Sequence, residues 1–194
     1  MKAHQEPQEI WKLLPKKAWR ERQEYITRLI SYPVMEYREE LEQGIRNDDD
    51  ADVRNAAMEV YRVLGSKGFP SIEVLLQDPN HEVRLFAVNI LCSIADRGTF
   101  TLLAEAMNDS DVNVRVAAAE ALGKIRDERS LAALEDAIDD EPWVAMAAID
   151  ALGQIGGEVA LSILCRCLEM PDIQEYAVVA LLQFADDRDP AIRA

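Results

Sequence analysis

The chain has 194 residues, of which 49% are hydrophobic and only 6% aromatic, and its formal charge is −15. That length suits one substantial domain whose core must come mainly from alanine, leucine and valine. The acidic balance argues against nucleic acid, whose binding rests on lysine and arginine displacing counterions, and no apolar run approaches the ~20 residues of a membrane span. The first ten residues lack the apolar stretch of a secretory leader. Three cysteines, Cys92, Cys165 and Cys167, are an odd and sparse set. They argue against a disulfide framework and for a reducing cytoplasm.

Residues 1–46 hold nine Lys/Arg against eight Asp/Glu, whereas residues 47–194 hold twelve against twenty-eight. The N-terminal part predicts a helix from Trp19 to Ile30, a break at Ser31-Tyr-Pro33 and a second helix from Pro33 to Arg46. It is expected to be a helical cap, with a degenerate first repeat, over the open face of the segment beginning at residue 47. Trp11, Lys12, Lys16, Lys17, Trp19, Arg20 and Arg22 make it locally basic. Solvated lysines of a cap account for this cluster; contact with an acidic partner or with membrane headgroups is the alternative.

From residue 47 the chain is periodic. Helical segments start at Val53, Val83, Val114, Val144 and Ile173, spaced 30, 31, 30 and 29 residues apart. Such a period marks a solenoid, in which each unit buries its apolar face against its neighbours. Counting from those starts, positions 1, 4, 5, 8 and 12 are apolar and form one stripe at 100° per residue. Position 5 is alanine every time (Ala57, Ala87, Ala118, Ala148, Ala177), which predicts a close helix–helix contact. Position 9 is always large (Tyr61, Leu91, Leu122, Leu152, Leu181). Positions 3, 6, 7 and 10 point away from this stripe, with position 6 half-covered by stacking.

Shorter apolar segments begin at Ile72, Leu102, Leu131 and Leu161, the first three running into acidic turns such as Asp78-Pro-Asn80 and Asp109-Ser-Asp111. Asp or Asn before a helix caps its free N–H groups and opposes its dipole. The expected fold is therefore all-α, an α-solenoid superhelix of antiparallel helix pairs over residues 47–194. Asp186-Asp-Arg-Asp-Pro190 reads as the start of another outer helix, so the last repeat is expected to be truncated. That leaves Val178, Val179, Leu181 and Leu182 open, for self-association through this end or fraying of the last helix.

The run from Asp109-Ser-Asp-Val-Asn-Val-Arg115 to Leu122-Gly-Lys-Ile125 resembles the HEAT repeat, in its short bacterial phycobilisome-lyase HEAT-like form. Asp78 to Ile94 and Asp48 to Leu64 fit the same pattern. The resemblance implies that the Val-Arg helices line a concave side. It also implies a ladder between repeats from the turn carboxylates Asp48, Asp78 and Asp109 and the arginines Arg54, Arg84 and Arg115. Ala145 and Gln174 stand where the next arginines would be, so the ladder is expected to lapse there. Members of the family act as scaffolds, and some as chromophore lyases, hydroxylases or DNA glycosylases; fold alone does not choose among them.

The chemistry-bearing residues are sparse. His81-Glu82 matches the pairs of HEAT-repeat di-iron hydroxylases, but the chain has only two histidines. Asp109-x-Asp-x-Asn113 mimics a calcium loop, yet Val114 stands where that loop needs glycine. The carboxylate run Asp48-Asp-Asp-Ala-Asp52 reads as solvated capping. Cys165-Arg-Cys167 is too closely spaced for paired zinc ligands. No catalytic residue, metal or cofactor is expected from these motifs, and the reading they favour is a non-enzymatic protein-interaction scaffold. The alternative implied by the resemblance is a phycobilin lyase or chaperone-like subunit acting on phycobiliproteins.

A binding face is expected along the outward positions of the inner helices. Leu85, Val116 and Met146 at position 3 form an apolar strip, edged by Asn89, Glu120 and Asp150 at position 7. Trp143 stands at the entrance to its helix, a residue type enriched in binding hot spots. Such a face suits a protein partner offering a basic amphipathic helix.

Overall fold

The computed structural model describes residues 6–47, 49–94 and 96–188, with side chains placed up to Gln183. Among the described residues all regular structure is helical, the α-solenoid class expected from the period. Twelve α-helices are α1 Glu6–Leu13, α2 Trp19–Leu29, α3 Arg38–Ile45, α4 Ala51–Leu64, α5 Phe69–Leu76, α6 His81–Ile94, α7 Phe100–Ala106, α8 Val112–Ile125, α9 Leu131–Asp136, α10 Pro142–Ile155, α11 Gly157–Cys167 and α12 Gln174–Arg188. From α3 onward, a short outer helix and a longer inner helix alternate. They form two compact units, residues 1–94 and 95–194.

The turns cap the inner helices as their composition dictates. Asp50 accepts from the amides of Asp52 and Val53 at the start of α4, Asn80 from Glu82 before α6, and Asp111 from Asn113 before α8. α10 has no such side chain; Pro142 opens it, its missing N–H costing nothing at that position.

In the first unit, α1 lies outside the elements read from the sequence. It buries Ile10, Trp11 and Leu14, with Trp11 packed over Gly44 of α3. Trp11 therefore belongs to the core, and Arg22 turns inward to the carbonyls of Pro15 and Lys17 and to Glu59. What reads as one basic cluster in the sequence is divided between core, cap contacts and the exposed Trp19. Beneath it, Ser71 links Tyr61 and Glu42 at 2.6 and 2.8 Å, and Arg38 donates to the same Glu42 oxygen at 2.6 Å. Burial pushes the Tyr61 phenol far above its ordinary range, so it stays a neutral partner in this chain.

The five alanines of position 5 are all fully buried. Position 6 is half-covered as expected at Met58, whereas Val88, Ala119 and Ile149 are buried and Val178 on the last helix is exposed. Position 10 also turns inward at two places where the wheel directs it outward. A Cβ on Gly123 would lie 2.8 Å from the Ala151 Cα of α10, and one on Gly153 would lie 3.1 Å from the Ala180 Cβ of α12. These glycines set how closely successive inner helices stack. Gly123→Ala should therefore destabilise by about 1–2 kcal/mol in urea unfolding, overpacking outweighing roughly 1 kcal/mol of helix propensity. A raised melting temperature would contradict the close approach. At the other end of the chain, α12 continues through Asp186 to Arg188, so these residues extend the inner helix rather than start an outer one.

Candidate functional site

Three inner helices of the second unit, α8, α10 and α12, enclose a cavity of about 330 Å³. Val116 and Glu120 of α8, Trp143, Met146 and Asp150 of α10, and Tyr176 and Val179 of α12 form its walls and rim. The floor is Ala147, Ile149 and Ala180, all buried. The cavity exists because two floor positions are alanines, whose side chains end before they fill the space between the larger walls.

Five residues expected to bind a partner, Val116, Glu120, Trp143, Met146 and Asp150, are thus brought together. The other two, Leu85 and Asn89, stand on α6 in the first unit, half-buried and exposed respectively. Trp143 is 67% exposed at the second position of α10, and Glu120 and Asp150 face solvent one repeat apart. Asp150 accepts from Gln154 at 2.6 Å, which fixes its carboxylate on the rim. No described residue lining the cavity is basic. In the wall from α12, Val179 stands at the outward position 7, but repeat position does not single out Tyr176. Tyr176 sits at position 4, where other inner helices carry Ala56, Phe86, Ala117 and Ala147, and it is 42% exposed. Phe86 interrupts the same mostly alanine column, so an aromatic at this position does not by itself point to Tyr176.

The arginines of the expected ladder reach main-chain carbonyls of their own turns. Arg54 donates to Asn47 at 2.7 Å, Arg84 to Asp78 at 2.9 Å and Arg115 to Asp109 at 2.7 Å. Arg54 also lies over the Phe86 ring, and the Asp78 carboxylate takes a 2.6 Å bond from Arg46. Arg115 binds both oxygens of Asp140 in the following turn at 2.7 and 2.9 Å, and also pairs with Glu141. These bonds hold the Asp140 carboxyl down at about 2. Asp109 accepts the Asp111 amide, and Asp48 lies outside the described residues.

A second hollow on the outer side, about 250 Å³, is lined by Glu135, Ile138, Asp139, Ile163, Arg166, Cys167 and Met170, with Arg166 and Glu135 paired at it. Cys167 is buried, which raises its thiol pKa and leaves it a poor nucleophile, whereas Cys165 is exposed. His81 opens α6 at the surface. No group of three or more His, Cys, Asp or Glu among the described residues is placed to hold a metal ion. No helix among them is long and apolar enough to cross a membrane.

HEAT repeats are matched over residues 70–144 and the PBS lyase HEAT-like repeat over residues 144–170. The chain belongs to the HEAT-repeat family, with repeats of the phycobilisome-lyase type. Among particular proteins, it is 35% identical over 103 residues to phycocyanobilin lyase subunit beta of Pseudanabaena tenuis (strain PCC 7409), covering 46% of this chain and 36% of that one. It is 35% identical over 136 residues to the bilin biosynthesis protein RpcF of Synechococcus sp. (strain WH8020), covering 65% of this chain and 61% of that one. The complex of CpcE and CpcF of phycocyanin lyase from Nostoc sp. PCC7120 shares the fold, with a TM-score of 0.55 and 22% identity over 78% of this chain and 66% of that chain. The chain spans 36% and 61% of the lengths of the two curated relatives.

These relatives overturn the expectation of a non-enzymatic scaffold, since one is named a lyase subunit and the other a bilin biosynthesis protein. That expectation equated activity with a compact motif. A relative named as a lyase subunit matches the same repeats, so the lack of a compact motif does not argue against a role in catalysis.

Proposed function

We propose that this chain is a subunit of a bilin lyase, acting with a second protein subunit on a phycobiliprotein. The observation that carries the reading is 35% identity to RpcF over 136 residues, a stretch longer than four repeats. The sparse cysteines and acidic charge suit a cytoplasmic protein that works on proteins rather than nucleic acid. Adding phycocyanobilin to the purified chain, with and without a chromophore-free phycobiliprotein, tests the reading. The bilin absorbance band should shift and saturate when the chain is present. A spectrum identical to that of free bilin plus phycobiliprotein at every chain concentration would overturn it.

Self-association through α12 belongs to the same proposal. Val178, Val179 and Leu182 are exposed there, Leu182 by 63%. Sedimentation at rising concentration should show a dimer that Leu182→Lys weakens at least fivefold; a monomer throughout the range would contradict it.

A further inference from the structure

Going beyond the lyase reading, and standing independently of it, we infer that the cavity between α8, α10 and α12 is a docking groove for one lysine- or arginine-flanked amphipathic helix of a protein partner. The first support is its chemistry. Val116, Met146, Tyr176 and Val179 present an apolar row over a floor of buried alanine and isoleucine, and Trp143 projects beside its mouth. Glu120 and Asp150 line the edge at equivalent positions of successive helices, and no basic residue balances them among the described lining residues. A ligand with anionic groups, such as the propionates of a bilin, meets only repulsion from this edge. A helix with apolar anchors and cationic flanks meets complementarity on both counts, and rim charges of this kind steer encounter.

The second support is size. Inner helices stacked about 8–10 Å apart carry the row across roughly 16–20 Å. At about 1.5 Å per residue that matches ~12 residues of helix, with anchors at i, i+3 or i+4, i+7 and i+11. The volume of about 330 Å³ holds a few side chains. It lies at the small end of the roughly 300–1,000 Å³ of ligand pockets. The charge of the wider surface has the same sign, with twelve Lys/Arg against twenty-eight Asp/Glu in residues 47–194.

The test uses the full chain and a fluorescein-labelled 18-residue peptide with leucine on one helical stripe and lysine elsewhere, beside a twin carrying glutamate for lysine. Anisotropy should show saturable binding of the lysine peptide alone, weakening as salt rises. Met146→Gln and Trp143→Ala should each raise Kd about tenfold, the second at a site too exposed to disturb folding. Glu120→Gln with Asp150→Asn should raise it about fivefold and reduce the salt dependence. Glu158→Gln with Glu169→Gln removes the same charge elsewhere in the unit and should change Kd less than twofold. An equal loss in that control pair would reduce the binding to general attraction and overturn the assignment. So would indifference to Met146→Gln and Trp143→Ala, equal binding of the glutamate twin, or no saturable binding. Competitive displacement of the peptide by phycocyanobilin would also overturn it, placing the chromophore in the groove. A bilin spectrum unchanged by the chain would remove the lyase reading and leave this result standing.

Discussion

Ala118→Leu is expected to destabilise the chain by about 3 kcal/mol, the upper part of the range for overpacking a filled core. Ala118 is fully buried in α8, in a column that is alanine and fully buried in every inner helix. Three added heavy atoms must displace backbone, because α8 and α10 already meet at the Gly123–Ala151 approach, which a methyl group would overfill. The helix has no compliant neighbour there: Ala119, Ala121 and Leu122 are buried as well. Ala132→Leu, on an exposed face of α9, is the matched control and should change stability by less than about 0.5 kcal/mol. Urea unfolding of the two variants decides it. Equal midpoints would mean that the alanine column is not a close contact.

Arg115→Ala should cost about 2–3 kcal/mol at neutral pH, and the loss should depend on acid. Its guanidinium grips both Asp140 oxygens and the Asp109 carbonyl, tying α8 to the turns on either side. Removing it leaves a partly buried carboxylate and a carbonyl without that donor. Asp140 sits at about 2 in the folded chain, below the roughly 3.9 of an unfolded aspartate. Its contribution is therefore present above pH ~4 and disappears as the pH falls through about 2. Thermal melts at pH 7, 4 and 2.5 should show the gap between wild type and Arg115→Ala narrowing over the last interval. Arg115→Lys should recover only part, since an ammonium cannot bridge both oxygens in a fixed fork. A gap of constant size down to pH 2.5 would contradict the linkage.

The repeats are legible because a solenoid writes one packing problem several times. Each inner helix solves it with the same small and large residues, as Ala57 to Ala177 and Tyr61 to Leu181 do. Relations between neighbouring repeats are less so. A helical wheel places Gly123 and Gly153 outward, since it knows nothing of the helix stacked alongside. Tyr176 escapes for a related reason: Ala56 and Ala147 are buried at the same position, and the larger side chain carries it to the cavity wall. At the N-terminus, Trp11 and Arg22 resemble a surface cluster because their partners, Gly44 and Glu59, lie far along the chain. Positions 3 and 7 supply Val116, Glu120, Met146, Asp150 and Val179 of the candidate groove; Tyr176, at position 4, requires the structure. The proposed lyase role is not legible, because the repeat pattern records how helices pack rather than what they bind or convert.

The central claim is that this chain takes part in placing a bilin on a phycobiliprotein. Its most direct test tracks the absorbance of the chromophore-bearing phycobiliprotein over time, starting from phycocyanobilin and the chromophore-free protein. The reaction is run with the candidate second subunit alone and with that subunit plus this chain. The account predicts that the chromophore band grows markedly faster, by at least tenfold, only when both subunits are present. Identical time courses with and without this chain would contradict it.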